Sequence, residues 1–424
     1  MGVEEIPFSE LLCEVIDNRG KTCPTADAGI PLIATNCIRN ELLYPTYEKV
    51  RFVSQHTYST WFRGHPKPGD ILFVNKATPG RVCLVPDPVD FCIAQDMVAV
   101  RADPKKIYPK YLFAALRSQI AQERIAQMHV GTLIPHFKKG DFDKLLLPVP
   151  SHEVQEFMGD TYFDLSAKID LNRRMNESLE AMARVLFNSW FVDFDPVRAK
   201  AEARDPGLPP NIDALFPDSF EDSDLGKIPA VWTAEELGKF VKFSKGKKPS
   251  FTEERARDGL RPVILIETLD DRASAFAPPL GLVEAGIEDT LMVMDGASSG
   301  RVETGHEGIV GSTIAKLTTT QRLPGPRFLY YWLKELEPQT RDHLTGTSIP
   351  HADKAWIARQ MCAVPSSPEL ADLFENIAGA LRNKIETNAT QSRTLAAIRD
   401  ALLPKLISGQ LRVNDAERFA EAGT

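Results

Sequence analysis

The sequence predicts an α/β (α+β) protein in which two related globular domains are separated by a pair of long antiparallel coiled-coil helices. Three observations support this fold class: a short motif occurs twice, a long amphipathic stretch follows each copy, and short apolar runs typical of strands precede each copy. Two matched halves suggest a pseudo-two-fold molecule. Such a molecule suits a two-part target or two copies of one partner.

The repeated motif is a short loop sequence. Residues 131–136 read Gly-Thr-Leu-Ile-Pro-His, and residues 346–351 read Gly-Thr-Ser-Ile-Pro-His, 215 positions later. The tripeptide Val-Pro-Ser follows at 149–151 and again at 364–366, with the same spacing. Self-similarity at a fixed offset is the signature of a repeated architecture, so we expect the two halves to share one fold.

The composition is that of an ordinary globular chain. Its 424 residues suffice for two or three domains with their own cores, and 43% hydrophobic with 25% charged residues excludes a disordered chain. No apolar run approaches the roughly 20 residues that span a bilayer, and the acidic N-terminus lacks the basic region of a signal peptide. Six cysteines without Cys-x-x-Cys spacing indicate reduced, buried thiols. We therefore expect a cytoplasmic protein without a membrane partner.

The charge distribution is compatible with a surface that binds nucleic acid. The net charge of −8 argues, taken alone, against such a partner. However, binding to nucleic acid depends on local patches of positive charge rather than on the net charge of the whole chain. A basic run without acidic residues extends from Lys239 to Lys248, whereas acidic residues collect at 221–224.

The first globular domain spans residues 1–150. Short apolar runs at 71–74 and 97–100, bounded by residues typical of turns, predict strands. Apolar residues that share one face predict a helix over 111–127. These elements together predict an α/β domain.

The second globular domain spans residues 231–365 and repeats this scheme with insertions. Its strand candidates are 263–266 and 291–294, and Phe328 lies in the first turn of the matching helix. Between the domains, residues 197–230 are rich in proline and acidic residues, which predicts a semi-rigid linker. The polar segment 413–424 is expected to be a frayed tail, as is usual for chain ends.

Two long helices complete the chain, over residues 151–196 and 366–412. Each could form a helix of about 40 residues, or about 60 Å at 1.5 Å per residue, and each carries an apolar stripe that requires a partner. A sustained 4-3 spacing of this kind is typical of a coiled coil. Two helices that meet across a two-fold axis run antiparallel. The positions of this seam are Leu165, Ile169, Asn172, Asn176, Leu179, Ala183, Leu186 and Trp190 in the first helix, and Leu381, Ile385, Asn388, Ser392, Leu395, Arg399, Leu402 and Leu406 in the second.

The seam is polar at the same place in both helices. Asn172 and Asn176 in the first helix match Asn388 and Ser392 in the second, at an offset of 216. A polar residue buried in a coiled-coil seam costs stability but fixes the register of the helices. We therefore predict that these residues set the helix register; the alternative is that they are simply solvated.

The sequence contains no catalytic motif. It lacks the phosphate-binding loop Gly-x-x-x-x-Gly-Lys-Ser/Thr, because position 241 is valine where the first glycine ahead of Gly246 would stand. It also lacks Gly-x-Gly-x-x-Gly, His-Glu-x-x-His, Gly-x-Ser-x-Gly and Asn-Pro-Pro-aromatic. Only His136 and His351 recur in the repeat, and we expect them to stabilise a loop; a catalytic or metal-binding role is the alternative. We predict no catalytic residue, no metal site and no cofactor on this chain.

Several segments resemble one known family. Residues 228–232 (Ile-Pro-Ala-Val-Trp) and 244–250 (Ser-Lys-Gly-Lys-Lys-Pro-Ser) look like the opening of its second domain, and 402–409 (Leu-Leu-Pro-Lys-Leu-Ile-Ser-Gly) looks like the end of its second spacer helix. With the repeated loop and the paired helices, nearly the whole chain resembles the specificity (S) subunit of type I restriction–modification enzymes. Arg399 departs from the apolar pattern, since its counterpart in the first helix is Ala183; we expect it to be salt-bridged or to face a partner.

The resemblance implies a function and a set of partners. Each globular domain would be a target recognition domain that binds one half of a bipartite site in double-stranded DNA. The two helices would be the central and C-terminal spacers between the half-sites. Two modification (methyltransferase) subunits would dock on the helices and carry S-adenosylmethionine, and restriction (translocase–nuclease) subunits would use ATP and Mg²⁺. The chain itself would be the non-catalytic DNA sequence-specificity subunit and scaffold.

Sequence-specific DNA recognition requires polar side chains for base edges and cationic ones for phosphates. Residues 77–82 (Ala-Thr-Pro-Gly-Arg-Val) resemble 297–302 (Ala-Ser-Ser-Gly-Arg-Val), which indicates equivalent turns in the two domains. The lysines near 245 repel one another unless an anion is near, which favours a DNA phosphate as their partner. The alternative for each residue is an ordinary solvated position. The DNA-binding candidates are Arg63, Lys76, Thr78, Arg81, Lys245, Lys247, Lys248, Ser298 and Arg301.

Two rival hypotheses are compatible with the sequence. One is a non-enzymatic two-domain adaptor whose coiled coil binds proteins and which binds no DNA. The other is an enzyme whose active site is assembled from distant residues. Binding to duplex DNA distinguishes the recognition subunit from the adaptor.

Overall fold

The computed structural model describes residues 4–18, 21–128, 135–270, 274–320, 324–346 and 348–407, and every structural statement below concerns these residues. The chain divides into two compact units. The first consists of Met1–Arg174 with Asn388–Thr424, and the second of Met175–Thr387. Each unit therefore combines one globular domain with a segment of both long helices.

The first unit has a mixed α/β domain. The strands that the apolar runs predicted are present, since Ile71–Val74 and Met97–Ala102 are both strands. All four residues of the former are buried, as expected of a strand covered on both faces. The elements are β1 (Glu4–Pro7), β2 (Leu12–Asp17), β3 (Ile30–Ile33), β4 (Arg51–Val53), α1 (Gln55–Thr60), β5 (Ile71–Val74), β6 (Val82–Leu84), β7 (Cys92–Ile93), β8 (Met97–Ala102), α2 (Pro109–Arg117), α3 (Gln119–Met128), β9 (Leu146–Val149) and the long helix α4 (His152–Phe191).

The strands described in the first unit form three sheets. The largest is antiparallel with the order β2-β8-β5-β6, and the second has the order β4-β3-β7 with a parallel pair β3–β7. Strand β1 pairs with β9, which leads into α4. Phe73 of the large sheet packs against Phe8 and Phe142, with ring centroids 5.8 and 5.3 Å away. Apolar burial of this kind is the main source of the domain's stability.

The second unit has a domain with closely similar elements. The predicted strand 263–266 ends early because Thr268 Oγ1 accepts a hydrogen bond from Leu265 N (2.6 Å), which starts a short helix. The elements are α5 (Asp195–Ala201), α6 (Pro210–Asp213), β10 (Phe220–Ser223), β11 (Gly226–Pro229), β12 (Thr233–Glu236), β13 (Val241–Lys245), β14 (Arg261–Ile264), α7 (Ile266–Leu269), β15 (Phe276–Ala277), β16 (Glu284–Ala285), β17 (Thr290–Val293), β18 (Val302–Glu303), β19 (Gly308–Val310), β20 (Ile314–Thr319), α8 (Pro326–Asp342), α9 (Lys354–Arg359), β21 (Met361–Val364) and the long helix α10 (Pro368–Ile407).

The sheets of the second unit repeat the topology of the first. The large antiparallel sheet has the order β13-β20-β17-β18, which corresponds strand by strand to β2-β8-β5-β6. A second sheet, β15-β14-β19-β16, again contains one parallel pair, and β12 pairs with β21 ahead of the long helix. The segment 197–230 holds most of α5, then α6 and the hairpin β10–β11. The sequence repeat therefore reflects a repeated topology.

One predicted helix is two helices in the structure. The expectation of a continuous helix over 111–127 was wrong, because α2 ends at Arg117 and α3 starts at Gln119. The Ser118 hydroxyl donates to Ala115 O (2.6 Å) and accepts from Ala121 N (3.3 Å). It thus closes one helix and caps the next. Apolar periodicity continues through Ser118 and could not reveal this break.

The long helices run antiparallel within each unit. In the first unit, Arg399 of α10 donates to Ser166 Oγ of α4 (3.4 Å) and lies 5.3 Å from the Tyr162 ring. Asn172 of α4, further along that helix, meets α10 at the lower-numbered Asn388. Arg399 also forms an ion pair with Asp400 (2.9 Å), so the expected salt bridge is present.

In the second unit the two helices meet in the same antiparallel sense. Arg382 of α10 pairs with Glu180 of α4 (3.1 Å), and Phe374 packs against Phe187 with ring centroids 5.7 Å apart. The predicted seam positions whose burial is described are buried or half-buried, whereas Met182 and Val185 beside the seam are exposed.

Within the described residues, no helix is long and apolar enough to cross a membrane.

Candidate nucleic-acid interface

Two equivalent turns hold five of the predicted DNA-binding residues. Turn 75–81 connects β5 to β6, and turn 295–301 connects β17 to β18. Each is closed by a hydrogen bond from its glycine N–H to the carbonyl that ends the preceding strand (3.0 and 2.8 Å). Gly80 and Gly300 have φ values of +86° and +87°, which glycine adopts without strain. The predicted residues in these turns are Lys76, Thr78, Arg81, Ser298 and Arg301.

The Pro-His part of the repeated loop docks on the turn in the first unit. Ala77 N donates to Pro135 O (3.0 Å). Phe137 N donates to Asn75 O (2.8 Å), and Asn75 Nδ2 donates back to Phe137 O (3.0 Å). These bonds place the backbone of His136 opposite Lys76 in an antiparallel bridge. The residues 131–134 of the same motif lie outside the described residues.

The second unit contains the same docking arrangement. Gly296 N donates to Pro350 O (2.9 Å), and Ala352 N donates to Met294 O (2.8 Å). The buried Ser299 adds a third link, because its hydroxyl also donates to Pro350 O (2.9 Å). The structure therefore brings the repeated loop and the repeated turn together in both units, which the sequence alone did not place in contact.

The candidates of the first unit differ in how accessible they are. Lys76 is exposed and lies 3.9 Å from Asp96, and Arg81 is exposed with no ion pair to any described residue. Thr78 Oγ1 is buried without a hydrogen-bond partner among the described atoms, so it faces the protein. Arg63 is exposed in the loop that follows α1, outside the turn.

In turn 295–301 the cationic candidate is already paired. Arg301 Nη1 lies 2.5 Å from Asp270 and its Nε 2.6 Å from Glu303, and the side chain is 25% exposed. A DNA contact by Arg301 would have to compete with these two carboxylates. Ser298 is half-buried, and its carbonyl accepts from Arg301 N (3.1 Å).

The lysine loop follows strand β13. Lys245, the last residue of the strand, forms an ion pair with Asp295 (2.8 Å). A Cβ on Gly246 would lie 2.1 Å from Val310 O, so only glycine allows the chain to pass here. Lys247 and Lys248 are exposed, and neither has an ion pair with a described residue. Like Arg81, these two lysines are accessible to a phosphate.

The sequence did not indicate Asp295, whose carboxylate contacts both Lys245 and His351. Its two carboxylate oxygens lie 2.8 Å from Lys245 Nζ and 2.7 Å from His351 Nδ1. Burial would raise the pKa of Asp295, but the bonds from Lys245 and His351 outweigh burial and lower it. The carboxylate is therefore charged at neutral pH. The recurrence of histidine in both loops was the one available signal, whereas nothing in the sequence connected His351 to position 295.

The predicted register residues lie between the long helices and bond across them. Asn172 is buried, and its Nδ2 lies 2.8 Å from Gln391 Oε1, 3.2 Å from Ser392 Oγ and 3.3 Å from Asn388 O. Asn176 Nδ2 donates to Ile385 O (3.2 Å). Asn388 is buried and Ser392 half-buried. The polar positions of the seam thus bond between the helices within each unit.

The described residues include no group of three or more His, Cys, Asp or Glu side chains arranged to hold a metal ion. What the two sites share is a rigid turn, a docked histidine loop and nearby lysine or arginine side chains. Clustered cationic and polar side chains on rigid turns are suited to binding an anion or a nucleic-acid backbone.

Comparison with known proteins gives these sites a context. Residues 13–181 match the family model of the type I restriction modification DNA specificity domain. The chain is therefore similar to type I specificity subunits. It is similar to the type I restriction enzyme HindI specificity subunit of Haemophilus influenzae, with 25% identity over 405 residues that cover 81% of this chain and 87% of that subunit. It is also similar to the MjaIX specificity subunit of Methanocaldococcus jannaschii, with 24% identity over 407 residues covering 91% and 88%.

A solved structure supports the fold described above. The S subunit of a type I restriction–modification system from M. genitalium superposes with a TM-score of 0.57 and 18% identity, covering 96% of each chain. The predicted fold class, mixed helix and sheet with paired long helices, is therefore confirmed. The family model includes turn 75–81 and α4 up to residue 181, so it covers one candidate DNA-binding turn and the two register positions Asn172 and Asn176.

Proposed function

We propose that this specificity subunit recognises a bipartite site in double-stranded DNA, with one globular domain for each half-site. The observation that carries the proposal is the duplicated site: each unit presents a rigid turn, a docked Pro-His segment and exposed lysine or arginine side chains. A two-part target matches a protein with two such sites. The cationic side chains would position the DNA through its phosphates, and polar side chains of the loops would read base edges.

The proposal assigns the long helices to spacing and scaffolding. A helix of 40 residues is about 60 Å long, which suits half-sites whose centres lie more than one DNA turn (about 34 Å) apart. Two modification subunits would dock on the helices and carry S-adenosylmethionine for adenine methylation. Restriction subunits would add ATP- and Mg²⁺-dependent translocation and cleavage. The chain itself would contribute recognition without catalysis, in the cytoplasm.

A methyl-transfer assay tests whether recognition and catalysis lie on different subunits. The purified chain is incubated with DNA of mixed sequence and labelled S-adenosylmethionine, alone and together with its cognate modification subunit. We expect no transfer by the chain alone, because this sequence lacks the Asn-Pro-Pro-aromatic motif, and clear transfer by the mixture. Methyl transfer by the chain alone would contradict the proposal.

Duplex binding tests the rival adaptor hypothesis. The chain, with and without the modification subunit, is titrated into labelled duplex DNA at several salt concentrations. We expect binding that weakens as salt rises, because phosphate contacts release counterions. If neither preparation binds duplex DNA at low salt, the adaptor hypothesis is favoured instead.

A further inference from the structure

Three side chains from different elements meet in the second unit. Lys245 ends strand β13, Asp295 follows strand β17, and His351 ends the repeated loop. Asp295 Oδ2 lies 2.8 Å from Lys245 Nζ, and Asp295 Oδ1 lies 2.7 Å from His351 Nδ1. One carboxylate therefore holds both basic groups, yet the side chains of Lys245 and His351 are 58% and 47% exposed.

The carboxylate fixes the tautomer of the histidine. A carboxylate accepts hydrogen bonds, so Nδ1 of His351 carries a hydrogen. The neutral ring then has a lone pair at Nε2, and the protonated ring has an N–H donor there. With a neutral ring, the charges of Lys245 and Asp295 cancel. With a protonated ring, the three groups have a net charge of +1 and favour a neighbouring anion.

The backbone holds the ring in place. His351 N donates to Thr345 O (2.7 Å), and Thr345 N donates to His351 O (2.9 Å). Gly346, at φ +89°, leaves room for the ring, since a Cβ there would lie 2.9 Å from His351 Cδ2. The neighbouring charged residues are engaged elsewhere: Asp353 caps α9, and Lys354 lies 5.2 Å from the Phe243 ring. Among the described residues, Asp295 is the charged side chain that bonds to the His351 ring, and Lys245 shares that carboxylate.

The first unit provides a natural control. His136 occupies the same loop position, but its bridge partner in the turn is Lys76 where the second unit has Asp295. Lys76 pairs with Asp96 at 3.9 Å, and no described carboxylate forms an ion pair with His136. A positive neighbour disfavours protonation of a histidine, whereas a carboxylate favours it.

We propose that His351 and Lys245, both held by Asp295, bind one phosphate of the DNA backbone, and that His351 takes up a proton when it does so. This rests on the proposed DNA-binding function and adds a residue and a pH dependence to it. A phosphate is a better partner than a base edge here, because Lys245 is cationic, an imidazole becomes cationic on taking up a proton, and both side chains are exposed. Proton uptake on binding means that affinity is highest at low pH and falls as the pH rises.

The test measures DNA affinity against pH. The full-length chain is titrated by fluorescence anisotropy with a random-sequence duplex carrying a pH-insensitive dye, at constant ionic strength between pH 6 and pH 8. The affinity of the wild type should fall severalfold across this range, and by no more than about 100-fold, which is the limit for uptake of one proton over two pH units. His351→Gln should remove the pH dependence, and His136→Gln should retain it. Asp295→Asn should move the pH dependence to lower pH.

Salt dependence provides a second readout that a purely structural role would not change. At pH 6 the slope of log affinity against log salt should be smaller for His351→Gln than for the wild type by about one unit, the value for one phosphate contact. At pH 8 the two slopes should agree. The inference is overturned if wild type binds duplex but shows no pH dependence, or if His351→Gln keeps it. If the wild type binds no duplex at any pH, the proposed DNA-binding function fails as well.

Discussion

Replacing Asn172 and Asn388 together with leucine is expected to stabilise the protein and to loosen the register of its long helices. Both side chains are buried in the first unit, with exposures of 1% and 3%. Asn172 Nδ2 lies within 3.3 Å of three acceptors on α10, including the side chains of Gln391 and Ser392. Those bonds form fully only in one alignment of the helices, whereas leucine packs in several.

The magnitude follows from the bonds lost and the apolar surface gained. The Asn172 amide nitrogen has two hydrogens and Asn388 has a polar partner of its own, so the double exchange loses about three interactions, or about 1.5–4.5 kcal/mol in total. Burying two leucine side chains gains about 1.5–3 kcal/mol each. Gln391 is exposed and can bond to water once Asn172 is gone. The net gain is about 1.5 kcal/mol, which raises the melting temperature of a domain of this size by about 3–6 °C.

Two assays measure the two consequences. Calorimetry gives the change in melting temperature, and Asn383→Leu, the same exchange at an exposed position of α10, is the matched control with no expected gain. Methylation by the complete complex is then measured on targets whose spacer is one base pair longer or shorter. The double variant should accept altered spacers better than the wild type. Unchanged stability together with unchanged spacer selectivity would refute the register argument and indicate solvated positions.

Two further predictions follow from the described contacts. Changing Lys245, Lys247 and Lys248 to alanine should weaken binding to all duplexes alike and reduce the slope of log affinity against log salt by about one unit per phosphate contact. A loss of discrimination confined to one base position would instead indicate that a lysine reads a base, and an unchanged DNA affinity would indicate a solvated loop. Arg399→Ala should lower the free energy of unfolding by about 1–3 kcal/mol, because it removes charged hydrogen bonds to Asp400 and Ser166. The control Arg393→Ala, at an exposed position of the same helix, should change the melting temperature little.

Much of the architecture could be predicted because it depends on periodic patterns. The 4-3 spacing of the long helices and the continuous apolar run of β5 arise from burial, which the residue type reports directly. The break at Ser118 could not be predicted, since it depends on a hydroxyl that closes one helix and caps the next. The early end of the strand at Ile264 has a similar local cause in Thr268.

The candidate site was predicted less completely because its pairs are distant in sequence. Residue type and local similarity indicated Arg301, but the sequence did not show that Asp270 lies beside it, 31 positions away. The same holds for Asp295 and His351, which are 56 positions apart. Of the two serines in the repeated turn, Ser298 was the predicted one, whereas Ser299 makes the bond that docks the loop. Tertiary contacts of this kind leave no periodic signal.

Mapping the methylated sites tests the central claim most directly. DNA of mixed sequence is modified by the chain together with its modification subunit, and every methylated adenine is located by sequencing. The account predicts one bipartite motif whose two halves are separated by a fixed number of unspecified base pairs, as expected for two domains on spacer helices. A contiguous motif, or the same methylation pattern when this chain is omitted, would contradict it.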